Sequence, residues 1–188
     1  MSNQITSQVL GQLTKDENIS FMWNNNGLSF PLFENKILPV SFIGYEPGTD
    51  EGFIPAADSA LQNLLALSIT DRNSFSAPVY KNYTDLLAEL DEDGEDESFY
   101  PKLDNLNSPE DIWKFVHPTS ITVERRDRRD MDIYISVSCE CDWEDEHGLQ
   151  LVFRQGKKLT RVSGHDGHLT ESDAYDYPDE QDELLSKF

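Results

Sequence analysis

The residues best suited to chemistry are concentrated in two short stretches, Cys139-Glu-Cys-Asp-Trp-Glu-Asp-Glu-His-Gly148 and Gly164-His-Asp-Gly-His168. Together they hold two thiols, three imidazoles and several carboxylates, the donor types of a zinc site or of a metal-assisted hydrolase. Structural zinc sites, however, usually pair thiols as C-x2-C, where a turn converges both sulfurs on one ion. Here the spacing is C-x-C within an alternating apolar run, so Cys139 and Cys141 share a face with Ile135 and Val137. Reduced cysteine is among the most often buried residue types, and this placement reads as two small core residues. Side chains two apart on a strand also sit near the upper Cα separation for a disulfide, roughly 7 Å, so the thiols are expected to be reduced. No metal and no cofactor is therefore expected.

The imidazoles leave two readings open. One strand pair separates the loop after Trp143 from the loop after Ser163, so Glu146, His147, His165, Asp166 and His168 could meet in a metal-binding or acid–base site. Alternatively, His147-Gly148 starts a strand and Gly164-His-Asp-Gly is a surface turn. The sequence contains no nucleophile elbow, phosphate-binding glycine loop or metalloprotease helix. No catalytic residue is assigned, and an enzyme working through these histidine loops stands as the alternative function.

A further candidate is the acidic run Asp91-Glu-Asp-Gly-Glu-Asp-Glu97. A calcium loop of the EF-hand type needs glycine at its sixth position and a bidentate glutamate at its twelfth. Counted from Asp91, those positions are Asp96 and Lys102, which rules that site out. The acids Asp91, Asp93, Asp96 and Glu97, with the neighbouring aromatics Phe99 and Tyr100, are instead the candidate contact residues for a partner. Tyr175 and Tyr177, set among acids nearer the C-terminus, are further candidate anchors.

The charge of the chain sets the class of that partner. Its 188 residues carry 36 acids and 15 bases, a formal charge of −21. Phosphate backbones and anionic membrane surfaces are repelled, which argues against nucleic acid and against a membrane. A basic protein, metal ions or polyamines would be attracted, although acidity can also serve solubility alone. The charge is segregated: residues 125–161 hold eight bases and eight acids, so the whole excess lies elsewhere. The N-terminal stretch has neither a basic start nor an apolar run, and no apolar run approaches the ~18 residues of a membrane span. Cytoplasmic location is the expectation.

The elements that must position these groups follow from periodicity. Ile19–Trp23 and Leu28–Phe33 flank Asn24-Asn-Asn-Gly27 and read as a hairpin; Ile37–Tyr45, with Pro39, reads as an edge strand. Leu61, Leu64, Leu65 and Ile69 share one helical face, with Ser59 and Gln62 as a capping box; Tyr83, Leu86, Leu87 and Leu90 form a second helix. Ser108-Pro109 starts a short helix lined by Ile112, Phe115 and Val116. From Thr119 the period becomes two: Ile121 and Val123 in one strand, then Ile133, Ile135, Val137, Cys139, Cys141 and Trp143 on the buried face of the next. Leu149, Leu151 and Phe153 continue in a third, and Gln155-Gly156 turns into a fourth. The fold class is α+β: an antiparallel β-meander with a central helical segment, about residues 56–117, packed on one face. Residues 1–170 form a single domain, and residues 171–188 an acidic tail, mobile or weakly docked.

Asp142-Trp-Glu-Asp-Glu-His-Gly-Leu149, with Leu151-Val-Phe153 and Gly156 after it, resembles the signature of a family of uncharacterised bacterial proteins. In that family a strand ends in an acidic-Trp-x-x-Glu-His-Gly-Leu turn, and the next strand leads to a glycine hairpin. The resemblance runs from about Ile112 to Leu169. It carries no catalytic residues, and its members are similar to small acidic proteins that accompany bacterial toxin systems. Together with the segregated acidic segments and the absence of a catalytic motif, it points to a protein-interaction module whose specific form is an immunity-type neutraliser of a basic partner, with a structural or stress-related accessory protein as a third reading. Within the signature, Glu146 and His147 are expected to fix the bend and Gly148 to supply its backbone angle.

Overall fold

Strand β6 (Ile133–Cys141) sets the frame of the fold, because its alternation places Ile133, Ile135, Val137, Cys139 and Cys141 on one face, all of them buried. In the computed structural model, which describes residues 3–94, 101 and 103–186, β6 pairs antiparallel with β5 (Val116–Arg125) and β7 (Glu144–Arg154). Val137 lies between Ile121 and Leu151, and Ile135 between Val123 and Phe153, so three strands stack their apolar rows. β8 (Lys158–Ser163) follows through the Gln155-Gly156 turn.

On the other side of β5 lie β4 (Lys36–Ile43), β3 (Met22–Phe30), β2 (Gly11–Lys15) and β1 (Gln4–Ser7). Among the described residues, β1 to β8 form one eight-stranded sheet in sequence order. The class is α+β, and the sheet is mostly antiparallel, with one exception. β4 and β5 run parallel, with Val40 opposite Ile121 and Phe42 opposite Val123. Parallel neighbours need a long crossover, since a tight turn reverses the chain. The helical segment is that crossover: α1 (Phe53–Ala66), α2 (Ile69–Ser74), α3 (Ser76–Glu92) and a 3₁₀ turn at Pro109–Phe115.

Several local expectations are corrected. The Asn-Asn-Asn-Gly stretch is not a hairpin turn; it lies inside β3, where pairing with β4 slips between Asn25 and Leu28. Positive φ serves a bulge as well as a turn, and Gly27 has φ +116°. The reversal comes later, at Pro31–Phe33 with Glu34 and Asn35 in the left-handed region. Pro39 is not in an edge strand. It is tolerated in the interior because it faces the bulge, between the paired residues Leu38 and Val40. Ser59 does not cap α1, which begins six residues earlier, and Ile69 is exposed at the start of α2. β1 and β2 were not foreseen. Ser108-Pro109 does start a helical turn, a 3₁₀ one, and Ser108 forms a capping box with Asp111.

The main core combines strand residues with Phe53, Ala57, Ala60, Leu61 and Leu64 of α1 and Val79 and Tyr83 of α3. α1 sits against the β7–β8 hairpin, where the Asn63 side-chain amide donates to the Gln155 carbonyl at 2.9 Å. The reverse face of the sheet is not wholly polar: Tyr134, Val152 and Leu169 form a second, smaller apolar cluster. The acidic tail docks beside it. Ser172 and Asp182 are fully buried, and the Asp182 carboxylate accepts from the backbone amides of Ser172 and Leu185. Among the described residues no helix is long and apolar enough to cross a membrane.

Candidate functional site

The chain leaves β6 at Cys141 and turns into β7 through the conspicuous Trp-x-x-Glu-His-Gly segment. Trp143 continues the apolar row of β6 and is buried, its indole N–H donating to Asn82 Oδ1 of α3 at 3.1 Å. Its ring meets Tyr83 edge-on at 6.1 Å. The bend is fixed by Glu144, not by Glu146: the Glu144 carboxylate accepts from the backbone amides of Glu146 at 2.6 Å and His147 at 2.7 Å. Gly148 has φ +60°, and a Cβ there would stand 2.8 Å from the Cys139 carbonyl oxygen, so any side chain would push the strands apart. Glu146 and His147 are left on the surface.

The two histidine loops are neighbours, the backbone amide of His165 donating to the His147 carbonyl at 3.1 Å. The Asp166 carboxylate pairs with Arg161 and accepts from Gln150 Nε2 at 2.9 Å and the His168 amide at 3.0 Å. Among the described residues no group of three or more His, Cys, Asp or Glu is placed to hold a metal ion.

Cys139 and Cys141 are free and buried. Burial pushes the Cys139 thiol far above its ordinary range and the Cys141 thiol up to about 11. Since the thiolate is the nucleophile, both are expected to react slowly with a disulfide reagent at pH 8 in the native protein and completely in urea. Fast labelling of both thiols before unfolding would show this placement to be wrong.

Between α3, the turn after β6 and the tail lies a cleft of about 1210 Å³. α3 contributes Asp85 and Glu89, the turn Asp142, Glu144, Asp145 and Glu146, and the tail Glu171 and Glu183. Against these eight acids stand two bases, and both are already paired. Lys81 binds Asp85 at 2.6 Å, and Arg161 binds Asp166 and, at 2.9 Å, Glu171. Apolar surface interrupts the charge: Leu86 and Leu90 on the helix, Trp143 beneath, and Tyr175, Tyr177 and Leu184 on the tail side. Tyr175 is 71% exposed.

Of the contact residues read from the sequence, Asp91 is in the last turn of α3 and Asp93 follows the helix. Neither lines the cleft. Asp96, Glu97, Phe99 and Tyr100 lie outside the described residues. The cleft acids of α3 were missed, although Lys81, Asp85 and Glu89 recur every four residues and so share one helical face. That period was used only for the apolar face of the same helix.

A family model described as a domain of unknown function (DUF6985) matches residues 9–169, ending just before the tail. No curated protein and no solved structure matches the chain.

Proposed function

The chain belongs to this family of domains of unknown function, and from its site we propose that it is a protein-interaction module that receives a basic segment of a partner protein in the acidic cleft. The observation that carries the reading is the charge of the concave surface, eight acids against two bases, which pair with Asp85 and Glu171 and leave six acids in excess. Such a surface speeds encounter with a cation and disfavours acidic partners. Charge alone gives little affinity, so a desolvated anchor is needed, and the cleft offers Tyr175 and Tyr177 beside the acids. An immunity-type neutraliser of a basic toxin is the specific form of this reading to which the sequence resemblance points. The enzyme alternative through His147, His165 and His168 has less support, because Asp166 is held by Arg161 and Gln150.

The test is stopped-flow association of a fluorescent peptide of alternating lysine and leucine. Neutralising Glu89, Asp145 and Glu146 together, as Gln, Asn and Gln, is expected to slow association several-fold at low salt and to leave the melting temperature unchanged. Raising the salt should erase the difference, because exposed charges are screened beyond about 8 Å at physiological ionic strength. A control variant neutralises Glu17, Glu46 and Glu51, exposed acids outside the cleft. Equal slowing in the control, or no slowing in either, would overturn the cleft assignment.

A further inference from the structure

The tail supplies one wall of the cleft, and the way it is held differs from the way the sheet is held. Arg126, at the start of the β5–β6 connection, is buried to 2% side-chain exposure beneath it. Its guanidinium grips two tail carboxylates with two bonds each. Nε and Nη2 donate to Asp173, both at 2.8 Å, while Nη1 and Nη2 donate to Asp179 at 2.8 and 2.7 Å. Nη2 also reaches the hydroxyls of Thr170 and Ser172, each at 3.0 Å. Arg129 adds a bond to Asp179 at 2.6 Å and one to the Tyr177 carbonyl at 3.0 Å. At the far end, Lys158 Nζ donates to the Leu185 carbonyl at 2.5 Å. Apolar anchoring is sparse by comparison: among the described residues 170–186, Leu185 is the buried hydrophobe.

We infer that residues 170–186 form a strap that opens as a unit from a folded sheet, with Arg126 as its latch, and that opening removes one wall of the cleft. The physical reason lies in what opening returns. A buried ion pair forfeits hydration that its Coulomb attraction only partly restores, so releasing both partners to water together is far cheaper than stranding one of them. When the strap leaves, Arg126 and its carboxylates are hydrated at once, and the main core on the opposite face of the sheet loses nothing. Segments with few apolar contacts are those that open locally below the free energy of global unfolding. The Arg126 guanidinium holds the Asp179 carboxyl well below the usual carboxylate range. A depressed carboxylate contributes its stability above its unfolded value and loses it only as pH falls through the folded one. Asp179 therefore stays charged at neutral pH, and opening there needs no titration of that carboxyl.

The inference rests on the cleft reading for its functional consequence alone, and the experiment separates the two. Hydrogen exchange of the full chain is followed by mass spectrometry at neutral pH in the wild type, in Arg126→Met and in the double variant Asp173→Asn/Asp179→Asn. In Arg126→Met the buried bidentate partner of Asp173 and Asp179 is gone and only the more exposed Arg129 still pairs with them, so peptides from 171–186 are expected to exchange about a hundredfold faster. Peptides from β6 and β7 should keep their wild-type rates. The double variant weakens the latch from the tail side and should accelerate the same peptides by about tenfold; if Arg126→Met does not fold, it decides the matter alone. Unchanged tail exchange in the folded variants, or tail and sheet accelerating together, overturns the strap. Association of the lysine–leucine peptide is then measured with the opened variant. If the strap opens and association is unaffected, the cleft reading fails and the strap stands. If the strap does not open while neutralising the cleft acids still slows association, the strap fails and the cleft stands.

Discussion

Replacing Phe153 by alanine is expected to destabilise the protein by about 3–5 kcal/mol, the usual cost of emptying a fully buried aromatic site. Phe153 has no exposed surface and lies in register with Ile135 of β6 and Leu159 of β8. Its ring meets Phe75, at the junction of α2 and α3, edge-on at 5.3 Å. The side chain thus ties the sheet to its crossover helices, and neither side can relax into the void without losing its own contacts. Urea denaturation would measure the loss as a lowered midpoint with an unchanged slope. A loss below about 1 kcal/mol, the range of tolerated core swaps, would mean that the helical segment is not packed where it is described.

Gly156→Ala should cost about 2–4 kcal/mol, from backbone strain and overpacking acting together. Gly156 has φ +66° in the β7–β8 turn, a conformation that a β-carbon penalises. A Cβ there would also fall 2.0 Å from the carbonyl oxygen of Ala60 and 3.0 Å from the amide nitrogen of Leu64. Both are backbone atoms of α1, so no side-chain rotation relieves the clash, and the helix must lift from the hairpin. Thermal melting reads the loss directly, and hydrogen exchange in α1 should rise with it. A variant as stable as the wild type would disprove the close approach of α1 to this turn.

Much of the fold was legible because some signals are local. The row Ile133, Ile135, Val137, Cys139, Cys141 and Trp143 could be read as one buried face, since alternate side chains of a strand must point the same way whatever the strand meets. The Ser108-Pro109 start of the 3₁₀ turn was likewise legible, because its cap closes within four residues. Asn24-Asn-Asn-Gly27 shows where such signals stop. Its tolerance of positive φ is local, but whether that makes a hairpin or a bulge depends on pairing with β4. The same limit hid the parallel junction, since the alternation of a strand is identical beside either kind of neighbour.

The sequence by itself determined which residues of β6 face the core, that Cys139 and Cys141 belong to it, and that the charge excess lies outside residues 125–161. These follow from bond geometry and composition, which each segment carries alone. Only the tertiary structure decided that the polar stripe of α3, the turn after Trp143 and the tail form one acidic cleft, and that the tail is held by Arg126. Those groups lie tens of residues apart in the chain. What joins them is long-range pairing and burial, whose free energy belongs to two segments at once and leaves no periodic trace in either.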